Sequence, residues 1–213
     1  MNVQHSVKPR LRGVVHQYAF LVSLAAGAVL IATSEPGRAR FAATVYVVGL
    51  SGLLGASALY HRINWSEVAR RWLRRLDHSM IFVLIAGTYT PFALVVLHGS
   101  LSVVVLAVMW SGALAGMVLQ LLWVDAPKWL SAAIYVALGW VMVSVLPAIF
   151  GSAGWPVGTL LIAGGLVYTV GAVVYALRRP DPNPTVFGYH EIFHVLVVVA
   201  AAAQFVAVAW VTT

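Results

Sequence analysis

The sequence contains no cysteine and very little charge. Only 9% of its 213 residues are charged, acidic residues number six, and 62% of the chain is hydrophobic. A water-soluble globular protein needs more polar surface than this composition provides, so a soluble protein is excluded. The absence of cysteine also excludes disulfide bonds and thiolate metal sites. Histidine, carboxylate and water remain as the available metal ligands.

Seven apolar runs make up most of the chain. Each is close to the ~20 residues that a helix needs to cross a hydrocarbon layer of ~30 Å. They fall at residues 14–33, 41–61, 78–97, 101–122, 129–149, 157–177 and 188–211. The first run follows a basic segment, as in a signal peptide, but it is long enough to span and six more runs follow. We therefore predict an all-α integral membrane protein, with one domain of seven transmembrane helices over residues 1–213.

The basic residues between the runs predict the orientation of these helices. Alternate connections would lie on one face, and that face receives 11 of the 13 lysine and arginine residues, whereas the other face receives only Arg38 and Arg40. Basic residues favour the cytoplasmic side of a membrane. We therefore predict a cytoplasmic N-terminus with a short tail over residues 1–13, and a C-terminus outside. Topology explains the net charge of +7 better than nucleic-acid binding does.

The connection between the second and third runs has the pattern of an amphipathic helix. Trp65, Val68, Trp72 and Leu76 recur at helical spacing, with Asn64 as a possible N-cap. Four arginines fall largely on the opposite face: Arg70, Arg71, Arg74 and Arg75. We predict a helix over about 64–76 that lies on the cytoplasmic leaflet. Specific recognition of an anionic lipid is the functional alternative to ordinary anchoring.

Polar residues from three predicted helices fall in one layer near the cytoplasmic face. His190 and His194 begin the last run and share one helix face, about 6 Å apart along the axis. Ser57 and His61 have the same spacing at the end of the second run, and Asp77 precedes the third. Imidazole is costly in a membrane segment, so such residues usually face the protein interior and mark function.

Three histidines and a water molecule form a known catalytic zinc site, so His61, His190 and His194 are candidate metal ligands. Asp77 could then act as a general base or orient the water, with Ser57 in support. Each residue also has a simpler interpretation. Asp77 could cap the third helix, Ser57 could bond back to the carbonyl of its own helix, and His61 could be interfacial. His16 and His78 lie near this layer but lack paired spacing, so they are not included.

A second pattern overlaps the histidine pair. Residues 190–194 read HEIFH, which matches the zinc-protease motif in which the glutamate is the general base. Glu191 would have this role in an intramembrane protease, with Asp77 as the third ligand. This hypothesis leaves His61 and Ser57 without a function, so we rank it lower.

Three blocks of the sequence resemble the signature motifs of a known family. SALYH at 57–61, LDHSMIFVLIAGTYTPF at 76–92 and FGYHEIFH at 187–194 are similar to those of the hemolysin III proteins. These proteins are the bacterial branch of the progestin and adiponectin receptor (PAQR) family. The resemblance implies seven helices with a cytoplasmic N-terminus in the bacterial inner membrane. It also implies zinc held by His61, His190 and His194, a zinc-bound water held by Asp77, and support from Ser57.

The resemblance also implies candidate functions. The family is similar to alkaline ceramidases, which implies zinc-dependent hydrolysis of a lipid amide whose acyl chain enters a cavity among the helices. The alternative is a non-enzymatic membrane protein that senses or regulates lipid state. A cytolytic pore is less favoured, because uninterrupted apolar spans show no switch between a soluble and an inserted form. The tail is short, so the extended cytoplasmic domain of the eukaryotic receptors is not expected.

Overall fold

The computed structural model describes residues 8–213, which form helices joined by short connections and contain no β-strand. Residues 1–7 of the predicted cytoplasmic tail lie outside the described range. The helices are α1 (Val14–Thr33), α2 (Arg38–Arg62), α3 (Glu67–Pro91), α4 (Gly99–Leu122), α5 (Lys128–Trp140), α6 (Leu146–Ala153), α7 (Trp155–Leu177) and α8 (Tyr189–Thr212). A π-helical turn, Phe92–Val96, extends α3, and a 3₁₀ turn, Val141–Ser144, follows α5.

Six of these helices are long and apolar enough to cross a membrane, and the count rises to seven if α5 and α6 form one broken span. The axes of these two helices differ by 52° at the break. Pro147 stands in the first turn of α6, where its ring cannot continue the hydrogen bonding of the preceding helix. The prediction of an all-helical, multi-pass membrane protein is therefore confirmed.

The packing of the helices brings the end of α2 beside the start of α8. Helices α2 and α3 are the most buried, and the core between them includes Tyr46, Phe82 and Tyr89. At Gly87 of α3, a Cβ atom would lie 3.4 Å from the backbone oxygen of Val45, so the two backbones approach closely. Helix α8 packs on α7 and also contacts α1, α2 and α3. Four helices therefore converge at one end of the bundle.

The amphipathic segment before the third span is part of α3 and is not a separate helix. Helix α3 begins at Glu67 and continues without a break to Pro91. Its N-cap is Ser66, whose side chain accepts a hydrogen bond from the N–H of Ala69, whereas the sequence suggested Asn64. The predicted bounds of 64–76 are therefore wrong at both ends. The amphipathic pattern survives in the first turns of α3, where Val68 and Trp72 are exposed.

Candidate metal centre

Three histidines from two helices meet at the convergent end of the bundle. His61 lies in the last turn of α2, and His190 and His194 lie in the first two turns of α8. One ring nitrogen from each residue can be chosen so that all three lie within 4.8 Å of one another. The Nε2 atoms of His61 and His190 are only 3.2 Å apart. Such a group could hold a metal ion.

The spacing of one pair of nitrogens, those of His61 and His190, fits a tetrahedral metal site. With metal–nitrogen bonds of about 2.0–2.1 Å, two imidazole nitrogens in a tetrahedral site are separated by roughly 3.3 Å. The distance between the Nε2 atoms of His61 and His190 is close to this value. Two neutral rings can share at most one N–H between facing nitrogens, whereas a metal ion would accept both lone pairs. The donor set and its spacing therefore suit a metal ion.

Asp77 and Ser57 lie beside the histidines. The Oδ2 atom of Asp77 is 3.7 Å from Nε2 of His61, and the Ser57 side chain is near enough to interact with the same carboxylate. Asp77 stands inside α3, ten residues after its first residue Glu67, so it does not cap the helix. Ser57 Oγ is 2.8 Å from Nδ1 of His16 and thus has a partner outside its own helix. Asp77 is therefore not the N-cap of α3, and the observed partner of Ser57 is not a carbonyl of its own helix.

A cavity of about 170 Å³ begins at this cluster and extends along the bundle interior. Asp77, His190 and His194 line one end, and Gln204 lines the other, ten residues further along α8. Ten helical residues correspond to about 15 Å. The walls between the two ends are mainly apolar and include Ile85, Leu146, Ile162, Phe193 and Val197. The shape and lining suit an elongated apolar ligand with a polar end at the histidines.

Comparison with known proteins places the chain in a family. Residues 4–205 match the family described as Haemolysin-III related. The chain belongs to the hemolysin III family. The resemblance of the three sequence blocks is therefore confirmed over nearly the whole chain.

Relatives from bacteria and from animals match this hemolysin III chain. It is 32% identical over 195 residues to Hemolysin-3 of Bacillus cereus, which covers 90% of this chain and 86% of that protein. It is 35% identical over 162 residues to the Hemolysin-3 homolog of Bacillus subtilis, with coverage of 76% and 73%. The Adiponectin receptor protein of Drosophila melanogaster is 30% identical over 181 residues, 75% of this chain and 40% of that protein.

In this hemolysin III protein, the five residues selected from the sequence do come together. His61, His190 and His194 form a group that could hold a metal ion, while Ser57 and Asp77 lie next to it. Their chemical roles remain predictions. His98, which the sequence places at the opposite face, precedes α4 and is exposed at the other end of the bundle.

Two further histidines lie at the site, although the sequence analysis left them out. His16 of α1 stacks on His194, with ring centroids 3.8 Å apart and an interplanar angle of 5°. His78 lines the cavity next to Asp77, and its Nδ1 is 3.4 Å from Oε1 of Gln120. The available signal was a single imidazole within or beside an apolar run, which is unusual enough in a membrane segment to indicate function without paired spacing.

The structure also gives Glu191 a different role from that of the protease motif. One carboxylate oxygen accepts a hydrogen bond from Nε–H of Arg12, and the other accepts a hydrogen bond of 2.8 Å from the backbone N–H of Gly188. Both oxygens thus accept hydrogen bonds at the N-terminus of α8. The backbone N–H groups of Arg10 and Leu11 donate to carbonyls of the α7–α8 connection, at 3.0 and 3.2 Å. The segment before α1 is thereby tied beside the histidines.

Basic side chains surround this end of the bundle. Partial burial and the positive charges of Arg62 and Arg70 lower the pKa of Lys8. Lys128, at the start of α5, donates a hydrogen bond of 2.9 Å to the hydroxyl of Tyr189. Its ammonium also lies 4.8 Å from the ring centre of Tyr175. The end of the bundle that carries the histidines is therefore strongly cationic.

Proposed function

We propose that this chain is a zinc-dependent membrane hydrolase that cleaves a lipid amide of the ceramide type. The observation that carries the proposal is the continuity of the apolar cavity with the histidine cluster. A ligand whose acyl chain fills the cavity would present its polar group to His190, His194 and Asp77. A metal site at the end of an apolar cavity is an arrangement suited to the hydrolysis of a buried lipid group.

The donor atoms suit zinc, although imidazole also suits copper, iron and nickel. Neutral imidazoles suit zinc, and three protein ligands leave a fourth position open, as in catalytic rather than structural zinc sites. His61, His190 and His194 would hold the ion. When bound, zinc supplies a water molecule that is acidic near neutral pH and a positive charge that polarises a carbonyl group.

The remaining residues would then handle protons and the substrate. Asp77 accepts a proton from the attacking water as its oxygen bonds to the amide carbon, and returns a proton to the nitrogen as the carbon–nitrogen bond breaks. Ser57 holds the carboxylate in place. The apolar walls keep bulk water away and align the chain, which strengthens the electrostatic interactions at the reacting group.

The proposal includes the placement of the chain in a membrane. We place the protein in the bacterial inner membrane with seven spans, α5 and α6 forming the fifth, the N-terminus in the cytoplasm and the C-terminus outside. The cationic end of the bundle then faces the cytoplasm, as the distribution of lysine and arginine favours. Its partners would be a membrane lipid or fatty acyl ligand in the cavity, and anionic lipid against the exposed start of α3.

One observation favours a second candidate function. His61 belongs to α2 and the other two histidines to α8, so a metal ion at this site would link two helices. Zinc could then serve only to hold the bundle together, as structural zinc does in other proteins. The protein would in that case be a non-enzymatic sensor or regulator of membrane lipid state.

Zinc analysis and a turnover assay separate the two candidates. Purified protein is analysed for zinc, then assayed for fatty-acid release from a panel of ceramide-like amides before chelation, after chelation and after zinc is restored. Release that disappears with chelation and returns with zinc supports the hydrolase. Bound zinc with no release across the panel would favour the regulator. Leakage of dye from liposomes, measured in parallel, would instead indicate a pore.

A further inference from the structure

His16 occupies a position that the proposed chemistry does not use. It lies in the first turn of α1 and is 3% exposed, although the rest of α1 is largely exposed on the outside of the bundle. An imidazole at such a position loses the hydration it would have in water. Its burial therefore calls for compensating contacts within the protein.

Those contacts join His16 to two parts of the metal centre. One face of its ring lies parallel to the ring of His194 at a centroid distance of 3.8 Å. Its Nδ1 atom lies 2.8 Å from the hydroxyl oxygen of Ser57. His16 does not belong to the group of converging ligand nitrogens among the described residues. A stacked ring lies beside the plane of its neighbour, whereas a metal bound to His194 lies within that plane.

The positions of the protons indicate which group donates the hydrogen bond between His16 and Ser57. The Ser57 side chain also lies near the Asp77 carboxylate, and a hydroxyl between the two groups can donate its single proton to Asp77. Ser57 must then accept from Nδ1–H of His16, which leaves Nε2 of His16 without a proton. Within residues 8–213, that Nε2 atom is buried and has no hydrogen-bond partner.

We propose that His16 is a positioning residue of the metal centre. It holds the plane of the His194 ring by stacking and directs the Ser57 hydroxyl towards Asp77 by a hydrogen bond. This inference rests on the metal site proposed above. Groups that orient ligands in this way set metal affinity, and their loss typically weakens it by about 10- to 100-fold.

Two variants separate the two contacts. His16→Phe keeps a flat ring over His194 but removes the hydrogen bond to Ser57. His16→Asn keeps a polar group near Ser57 but removes the stacked ring. His16→Ala removes both contacts. Ser23→Ala is the matched control, since Ser23 makes another buried contact between α1 and α2, a hydrogen bond of 2.9 Å to Ser51, away from the histidines.

The measurement is zinc affinity by competition with a chelator, together with the visible absorption spectrum of the cobalt-loaded proteins. We expect zinc to bind about 10- to 100-fold more weakly to His16→Ala, and less weakly to the two single-contact variants. The cobalt spectrum should change in the His16 variants because the ligand geometry relaxes. Ser23→Ala should match wild type in both measurements.

The outcomes distinguish this inference from the metal site itself. Zinc affinities within twofold of wild type for all His16 variants that fold would overturn the positioning role and leave the metal site intact. Equal weakening by Ser23→Ala would also overturn it, because any α1–α2 contact would then have the same effect. A wild-type protein that binds no zinc would overturn the metal site and, with it, the role of His16. If His16→Ala does not fold, the Phe and Asn variants decide the question.

Discussion

The Nε2 atoms of His61 and His190 lie 3.2 Å apart, although 129 positions separate the residues in the chain. One residue ends α2 and the other begins α8. The candidate metal centre is therefore complete only when these two helices pack together, and metal binding at this site should in turn stabilise that packing. The relationship can be tested by measuring metal binding and by measuring the stability of the protein.

Replacing His61 with alanine should remove both metal binding and its contribution to stability. We expect zinc affinity to fall by roughly 100-fold or more, since a ligand is lost rather than a supporting group. At zinc concentrations 100 times the wild-type Kd, zinc stabilises the wild type by about 2.7 kcal/mol, and the variant should lose most of this stabilisation. Zinc content and thermal unfolding with and without zinc check this. His98→Ala, at the exposed other end of the bundle, is the control, and near-stoichiometric zinc in His61→Ala would reject the three-histidine site.

Asp77→Asn should separate metal binding from chemistry. Asparagine keeps a similar shape but cannot accept a proton from water, so zinc should remain bound while amide hydrolysis falls by roughly 100-fold or more. The checks are zinc content, thermal stability and fatty-acid release, compared with wild type. Unchanged release would remove Asp77 from the mechanism.

Filling the cavity should block an acyl chain without disturbing the fold. Gly165 of α7 lines the cavity, and a Cβ atom there would meet no other atom within 4 Å. We expect Gly165→Leu to retain zinc and thermal stability but to lose binding of a fluorescent fatty acid. Gly151→Leu is the matched control, because Gly151 has the same free space but does not line the cavity. Normal fatty-acid binding by Gly165→Leu would place the ligand elsewhere.

The contact between Arg12 and Glu191 should stabilise the start of α8. The Glu191 side chain is 1% exposed, so Arg12→Ala would leave a buried carboxylate with one partner fewer, at a cost of about 1–3 kcal/mol. Arg10→Ala should have little effect, since the observed contact of Arg10 with the α7–α8 connection uses its backbone. Unfolding free energies of Arg12→Ala, Glu191→Gln and the double variant check this. Strictly additive effects would show that the two side chains do not interact.

Reporter fusions test the orientation of the chain. A reporter fused after Thr213 should be active only as a periplasmic reporter, and one inserted at Asn64, between α2 and α3, only as a cytoplasmic one. This follows from the proposed seven crossings and from the excess of lysine and arginine on one face. Reporters found on the same side would exclude seven crossings, and would mean that α5 and α6 do not together cross the membrane.

Features that depend on local physics can be predicted from the amino-acid sequence. The length and hydropathy of the apolar runs located the spans, and the bounds predicted for the first span, 14–33, coincide with α1. The four-residue spacing of His190 and His194 places them on one face of any helix. Three short sequence blocks indicate the family. The distribution of basic residues predicts the orientation of the spans, and this orientation places Ser57, His61 and Asp77 in the same layer as His190 and His194.

The faces on which the helices meet are set by the packing of the whole bundle. Helix α1 is apolar on nearly every side, so hydropathy does not indicate that His16 faces inward, against Ser57 and His194. In a membrane, the rotation of a helix is set by packing with its neighbours, because lipid and protein interior are similarly apolar. The continuous α3, the break between α5 and α6, the cavity and the pairing of Arg12 with Glu191 depend on the same packing. This packing cannot be predicted from the pattern of residues within a single segment.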